Sequence, residues 1–156
     1  LQELATQIGE TLLAQGNLLA LAESCTGGLA AASITDLAGS SAWFDSSVVV
    51  YSNQAKQDLL QVNAQTLGQY GAVSEQVAAE MATGLLKQGR ATIAVSVTGI
   101  AGPDGGSAEK PVGTVCFAWA SKHQPTKTCR LLLSGNRQEI RQKSVSKMLS
   151  GLKDLL

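Results

Sequence analysis

Residues 18–37 read LLALAESCTGGLAAASITDL, a stretch that carries two different hydrophobic patterns in succession. Residues 18–23 form a short apolar run that ends in a glutamate, as buried strands commonly do. Residues 27–37 are rich in Ala and Leu and predict a helix that begins directly after this strand. A strand followed at once by a helix indicates an α/β protein in which helices pack on a sheet.

The same periodicities recur along the chain, and the predicted strands become consecutive toward the C-terminus. Helices are predicted to end near Gly16 and Gly89, and two more are predicted around residues 54–60 and 145–156. Apolar or alternating runs predict strands over residues 47–51, 93–97, 112–119 and 128–133. We therefore expect one α/β domain over residues 1–156, in which a mixed sheet is flanked by helices.

The composition argues against a nucleic-acid-binding protein. Hydrophobic residues make up 44% of the chain and aromatic residues only 4%, so the core must be aliphatic. Twelve basic residues balance twelve acidic ones, and a neutral chain binds nucleic acid poorly because that binding depends on counterion release. The basic residues concentrate between Lys122 and Lys153. They can form a solvated helix face, or one or two of the arginines can bind a phosphate.

Cysteine usage and hydropathy predict a cytoplasmic protein without a metal or another cofactor. The three cysteines are odd in number and lack metal-ligand spacing, so we expect neither a disulfide framework nor a zinc site. Reduced thiols fit the cytoplasm, no apolar run is long enough to cross a membrane, and no signal peptide is visible. The first residue is Leu1 rather than Met, so we expect that native N-terminal residues are missing.

The turn AESCTGG (residues 22–28) lies where open α/β sheets bind ligands, beyond the end of a strand. Free N–H groups at the start of a helix suit an anion or an oxyanion, and Ser24 supplies a hydroxyl. Cys25 is a rival nucleophile, but a Cys nucleophile normally needs a His partner. Ser, Thr and Gly are also common capping residues, so a purely structural turn is the alternative.

The segment YSNQAK (residues 51–56) follows the second predicted strand, with Tyr51 closing that strand. A serine nucleophile needs a base, and Lys56 can be that base if burial lowers its pKa. The alternative is an exposed surface lysine, which is the commoner fate of this residue type. The only histidine, His123, lies in a polar stretch and is interpreted as an exposed loop residue, which leaves no candidate for a Ser-His-Asp triad.

The segment TGIAGPDGG (residues 98–106) is a glycine-rich loop after an apolar strand. Four glycines in nine residues at this position favour a binding loop. The alternative is a flexible connection between two strands.

Six segments together resemble the CinA C-terminal domain family, the nicotinamide mononucleotide deamidases. They are AESCTGG (22–28), YSNQAK (51–56), VSEQVAAEMA (73–82), VTGIAGPDGG (97–106), KPVGTV (110–115) and the tail GNRQEIR (135–141). They cover nearly the whole chain in the order of the family pattern. Two positions depart from that pattern, since Ser47 replaces a frequent glycine and Asn136 replaces a frequent aspartate.

The resemblance implies a three-layer sandwich that hydrolyses the carboxamide of nicotinamide mononucleotide to nicotinic acid mononucleotide and ammonia, in pyridine-nucleotide recycling. It also implies that no metal is needed and that the protein forms homodimers or larger assemblies. The family's catalytic serine, tyrosine and lysine fall on Ser24, Tyr51 and Lys56. In this hypothesis Lys56 takes the proton of Ser24 directly or through the Tyr51 hydroxyl.

Several groups are candidates for binding the substrate. The oxyanion would be held by N–H groups around residues 25–28 or at Thr98 and Gly99. The phosphate would be held by Thr26, Gly27, Gly28, Gly105, Gly106, Arg137 or Arg141, and the two arginines would share a helix face because they are four residues apart. Glu23 and Tyr51 are candidates to face the pyridinium. The competing hypothesis is a non-catalytic nucleotide-binding or interaction module of a competence-associated protein.

Overall fold

Five strands form one mixed sheet at the centre of the computed structural model, which describes residues 1–156. The strands are β1 (Leu19–Glu23), β2 (Phe44–Val49), β3 (Ile93–Gly99), β4 (Thr114–Ser121) and β5 (Gln124–Leu132). Their order in the sheet is β2-β1-β3-β4-β5. Strand β1 is parallel to both β2 and β3, whereas β3, β4 and β5 are antiparallel neighbours. The expected mixed sheet is confirmed.

Six helices cover the two faces of this sheet. They are α1 (Gln2–Gln15), α2 (Leu29–Thr35), α3 (Asn53–Leu60), α4 (Ala64–Tyr70), α5 (Glu75–Gln88) and α6 (Arg137–Leu155). Successive side chains of a strand point to opposite faces. Accordingly, Leu19 and Leu21 of β1 pack in one apolar cluster with α1, α2 and α6, whereas Ala20 and Ala22 pack in another with α3 and α5. The molecule thus has three layers. None of its helices is both long and apolar enough to cross a membrane.

Several element boundaries differ from those expected, each for a local reason. Helix α2 begins at Leu29 rather than at residue 27, because Gly27 and Gly28 have positive φ angles of 58° and 100°. Strand β2 begins at Phe44 and ends at Val49, so Tyr51 lies beyond it. Strand β5 begins at residue 124 and includes Pro125, which an edge strand tolerates.

Helix α4 was not predicted, because it is short and buries none of its residues, so its sequence carries no apolar stripe. Helix α6 begins eight residues before the predicted apolar stripe. Its start is set by a capping box, in which Asn136 accepts from the N–H of Glu139 and Glu139 accepts from the N–H of Asn136.

The topology brings three connections together at one end of the strands. Strands β1 and β3 run parallel and end side by side, and the N–H of Ser24 donates to the carbonyl of Val97. The N–H of Val50, just beyond β2, donates to the carbonyl of Glu23. Three segments therefore meet at this end of the strands: the turn of residues 22–28, called the Ser24 turn below, the segment that leads into α3, and the loop after β3.

Candidate active site

The side chains of Ser24 and Lys56 meet although 32 residues separate them in the sequence. The Nζ atom of Lys56 lies 2.9 Å from the Oγ atom of Ser24. Ser24 is held by the turn after β1, and Lys56 lies in the first half of α3, whose N-cap Ser52 accepts a hydrogen bond from the N–H of Ala55. Since the cap fixes the start of α3, it also fixes the point from which the lysine reaches the serine.

Lys56 is buried with no carboxylate partner. Its side chain is 1% exposed, and its other two contacts are the carbonyl oxygens of Val50 at 3.0 Å and Tyr51 at 3.1 Å. Burial lowers the pKa of Lys56 below its ordinary value, because the charged amine loses water. The alternative of an exposed surface lysine is therefore wrong.

Glu23 occupies the N-terminus of α2. This carboxylate is completely buried and accepts five hydrogen bonds, from the hydroxyls of Thr26 and Ser47 and from the N–H groups of Gly28, Ala30 and Ala31. A negative charge at a helix N-terminus is stabilised by the helix dipole. The protein's own carboxylate thus fills the place in which we expected a substrate anion.

This arrangement changes the roles expected at the Ser24 turn. The Thr26 hydroxyl and the Gly28 N–H are bound to Glu23, and the Gly27 N–H donates to the carbonyl of Ser24. None of these groups is free to bind a phosphate. Glu23 lies beneath the turn, so it does not reach a pyridinium in the cleft either.

A cleft of about 280 Å³ opens above Ser24 and Lys56. This volume is close to the lower end of the range of about 300–1,000 Å³ that is typical of ligand pockets. Its other lining residues are Cys25, Tyr51, Asn53, Ala72, Val73, Thr98, Gly99, Ile100, Ala101, Gly102, Asp104, Gly105 and Arg137. The cleft therefore brings the side chains of Ser24 and Lys56 together with the glycine-rich loop.

The loop after β3 lines the cleft with residues whose backbone donors are unpaired. The N–H groups of Ala101, Gly102 and Gly105 donate no hydrogen bond within the chain. The Thr98 hydroxyl, in contrast, donates to the carbonyl of Ala72. Gly106 does not line the cleft, because it packs against the backbone of Val112.

Tyr51 contacts Arg137 rather than the serine. Its side chain is 63% exposed, and its hydroxyl accepts a hydrogen bond of 3.3 Å from Arg137, which also donates to the carbonyl of Gly102 at 2.7 Å. Lys56 contacts the carbonyl of Tyr51 and not its hydroxyl. In this arrangement the Tyr51 hydroxyl lies outside the path from Ser24 to Lys56.

The two arginines do not act on the same side of the site. Arg137 lines the cleft, whereas Arg141 lies behind the Ser24 turn and donates to the carbonyls of Cys25 at 3.1 Å and Thr26 at 3.0 Å. Of the two alternatives for a phosphate ligand, Arg137 therefore faces the cleft and Arg141 does not.

Cys25 lines the cleft but is poorly suited to act as a nucleophile. Its side chain is 6% exposed, and burial raises the pKa of its thiol to about 11. His123, the only imidazole, is exposed in the turn between β4 and β5. No group of three His, Cys, Asp or Glu side chains could hold a metal ion.

Sequence reasoning missed two polar residues of the cleft. Asn53 is the first residue of α3, and Asp104 is the only carboxylate among the lining residues. Both lie inside motifs quoted above, and their polarity within glycine-rich or capping segments was the available signal.

Comparisons with known proteins identify the family of this chain. All 156 residues match the family model described as CinA C-terminal domain. A protein of Enterobacter agglomerans named nicotinamide-nucleotide amidohydrolase PncC is 55% identical over 157 residues, which cover 100% of this chain and 96% of the relative. The protein of the same name from Escherichia coli strain K12 is 52% identical over 152 residues, which cover 97% and 92%.

Solved structures share the same fold. The crystal structure of competence/damage inducible protein CihA from Agrobacterium tumefaciens superposes with a TM-score of 0.96 at 46% identity, covering 99% of this chain and 94% of that one. A CinA superfamily protein from Escherichia coli superposes with a TM-score of 0.95 at 36% identity, covering 99% and 90%. The resemblance seen in the motifs is confirmed, and the chain belongs to the CinA C-terminal domain family.

Proposed function

We propose that this protein hydrolyses the carboxamide of nicotinamide mononucleotide, with Ser24 as the nucleophile and Lys56 as its base. The observation that carries the proposal is the 2.9 Å contact between the Ser24 hydroxyl and the buried Lys56 amine. The names of relatives that match the full chain confirm the expected class of enzyme, an amidohydrolase. The substrate and the roles of individual residues are our proposal.

The surroundings of Lys56 favour a neutral amine that accepts a proton. A neutral amine has two N–H bonds and one lone pair. The two carbonyls of Val50 and Tyr51 take the two N–H bonds, and the lone pair is left for the Ser24 hydroxyl. Lys56 then acts directly, without the Tyr51 hydroxyl as a relay.

The reaction proceeds in two halves that balance. As the Ser24 oxygen bonds to the amide carbon, its proton moves to Lys56 and the carbonyl electron pair moves to the oxygen. The C–N bond then breaks, Lys56 returns the proton to nitrogen, and ammonia leaves. Water repeats the sequence on the ester, giving its proton to Lys56, and the C–O bond to Ser24 breaks as that proton returns to the serine.

The N–H group of Cys25 is our candidate donor to the oxyanion. Cys25 lines the cleft and follows the nucleophile directly, and its N–H donates to no other residue. Such donors stabilise the charge that develops on the carbonyl oxygen.

The opposite rim of the cleft suits the phosphate and the ring. We assign the phosphate to Arg137 and to the free N–H groups of Gly102 and Gly105, because a guanidinium and backbone donors together favour an anion. Asp104 replaces Glu23 as the carboxylate that faces the positively charged pyridinium. Tyr51 holds Arg137 in place.

The test is an assay of ammonia and nicotinic acid mononucleotide formed from nicotinamide mononucleotide. We expect the wild-type protein to form both in equal amounts, and Ser24→Ala to form neither while still binding the substrate. Cys25→Ala is expected to stay active. Ser33→Ala, which removes a hydroxyl bonded to a carbonyl of α2 outside the cleft, is the matched control.

Two outcomes would contradict the proposal. Turnover by Ser24→Ala would move the nucleophile elsewhere, with Cys25 as the next candidate. Binding of the nucleotide by the wild-type protein without any ammonia would favour the non-catalytic module.

A further inference from the structure

The turn that carries Ser24 is held from two sides by groups of opposite charge. Glu23 accepts from donors on the α2 side, and Arg141 donates to the carbonyls of Cys25 and Thr26 on the other side. Arg141 is half-buried and does not line the cleft. Its guanidinium therefore contacts the backbone of the turn instead of a position that a ligand can occupy.

The contacts of Arg141 form a chain that ends at the proposed oxyanion donor. Its terminal nitrogen donates to the carbonyl of Thr26, in the peptide group that also contains the N–H of Gly27. That N–H donates at 3.1 Å to the carbonyl of Ser24, in the peptide group that contains the N–H of Cys25. The C=O and N–H of a trans peptide point in opposite directions, so each contact fixes the direction of the next.

We propose that Arg141 is a positioning residue that orients and polarises the Cys25 N–H toward the oxyanion. This inference rests on the proposed function of the same site. Hydrogen bonds in a chain strengthen one another in a medium of low dielectric constant, and a cation at the start adds to that effect. Nothing inside the chain competes for the Cys25 N–H, so the polarised donor is left for the reacting carbonyl.

The guanidinium also has a geometry that a lysine lacks. Arg141 uses two nitrogens of one planar group, Nε and a terminal nitrogen, to hold two successive carbonyls. A lysine would keep the charge but not the fixed fork. We therefore expect Arg141→Lys to recover only part of the effect.

The first test compares Arg141→Ala, Arg141→Lys and the wild-type protein with nicotinamide mononucleotide. Loss of a whole oxyanion donor lowers kcat about 10²–10³-fold, so a misaligned donor should lower kcat of Arg141→Ala by about 10- to 100-fold. KM should change by less than about threefold, because the substrate does not touch Arg141. Arg130→Ala is the matched control, since Arg130 also donates to a backbone carbonyl but lies outside the cleft.

The second test does not depend on the amide substrate. An alkyl fluorophosphonate forms a bond between its phosphorus and the Ser24 oxygen, with loss of fluoride, and its phosphoryl oxygen occupies the oxyanion position. We expect Ser24 of Arg141→Ala to be labelled more slowly than wild type by a factor similar to that in kcat. Circular dichroism checks that each variant is folded, and if Arg141→Ala is not, Arg141→Lys provides the comparison.

The outcomes separate this inference from the proposed function. A folded Arg141 variant that is labelled at the wild-type rate would overturn the positioning role. A raised KM with unchanged kcat would also overturn it and would make Arg141 a phosphate ligand. If wild type is labelled on Ser24 but releases no ammonia, the proposed function fails, and the labelling rates alone decide the role of Arg141.

Discussion

Lys56 is a cationic residue type in a place that disfavours a cation. Transfer of a charged amine out of water is costly unless a carboxylate compensates, and here only two carbonyls and a hydroxyl surround the nitrogen. The neutral amine is therefore favoured by the same burial that brings it to Ser24. At the scale of single residues, the contact between Lys56 and Ser24 links the fold to the proposed hydrolysis.

The first prediction concerns pH. Because only neutral Lys56 can accept the serine proton, kcat/KM should rise with pH through the pKa of Lys56, which burial lowers from its ordinary value of 10.5, and should then level off. Lys56→Ala should lose about 10²–10⁴-fold in kcat, the usual contribution of a general base. Its kcat/KM should not show the rise with pH that the wild-type enzyme shows. Lys87→Ala, an exposed lysine near the end of α5, is the control, and an unaffected Lys56→Ala enzyme would rule out the pair.

The second prediction separates two roles of Tyr51. If its hydroxyl holds Arg137, Tyr51→Phe should raise KM about 2- to 10-fold, as expected for the loss of one hydrogen bond of 0.5–1.5 kcal/mol, with little change in kcat. Arg137→Ala should raise KM further. Steady-state kinetics with both variants test this, and a fall in kcat at constant KM would instead support a proton relay through Tyr51.

At the scale of elements, the N-terminus of helix α2 is occupied by the carboxylate of Glu23. Buried Glu23 satisfies three N–H groups of its first turns and joins them to β2 through Ser47. A turn of Ser, Thr and Gly before a helix predicts a free anion site, and from the sequence the glutamate that closes the strand is a candidate to face the pyridinium, not the anion of this helix. Sequence alone could not show that this side chain folds back beneath the helix.

The third prediction follows from these contacts. Glu23→Gln should lower the free energy of unfolding by about 2–5 kcal/mol, because an amide brings its own donors toward a site where five donors already converge. Glu3→Gln is the control, since Glu3 is also acidic and lies in the first turn of a helix, but is exposed. Urea unfolding measures the free energy of unfolding of both variants. Equal effects of the two substitutions would contradict the stabilising role of Glu23.

The fourth prediction concerns the packing of α3, which carries Lys56. A Cβ atom on Gly84 of α5 would lie 1.9 Å from the carbonyl oxygen of Leu60, the last residue of α3. Gly84→Ala should therefore destabilise the protein and lower kcat, although alanine favours a helix by about 1 kcal/mol. Gly68→Ala in α4 meets nothing within 4 Å and is expected to be neutral or stabilising in the same unfolding and activity assays.

At the scale of the whole molecule, the hydrophobic pattern predicted the architecture better than it predicted the site. Alternating and continuous apolar runs located all five strands, because burial dictates those residue types on each face of the sheet. The motifs located Ser24 and Lys56 in the sequence. The sequence could not show that Arg141 holds the turn or that Asp104 enters the cleft, because both depend on contacts between distant segments.

The expected homodimer or larger assembly and the expected cytoplasmic location stay predictions. Strand β5 is an edge of the sheet, and its Leu132 is 67% exposed, so this edge could be covered by a second copy. We expect light scattering to give at least twice the chain mass of 16.1 kDa. A mass of one chain at micromolar concentration would contradict this expectation.

The sheet separates two apolar clusters, and the two proposed reacting groups are mounted on opposite sides of that divide. The turn of Ser24 is held by α2 and α6 on one side, whereas Lys56 comes from α3, which packs on α5 on the other. The proposed hydrolysis therefore requires both layers to be docked at once. A substitution that loosens either layer should abolish activity before the protein unfolds. Loss of turnover should therefore report a disturbed sandwich earlier than an unfolding measurement does.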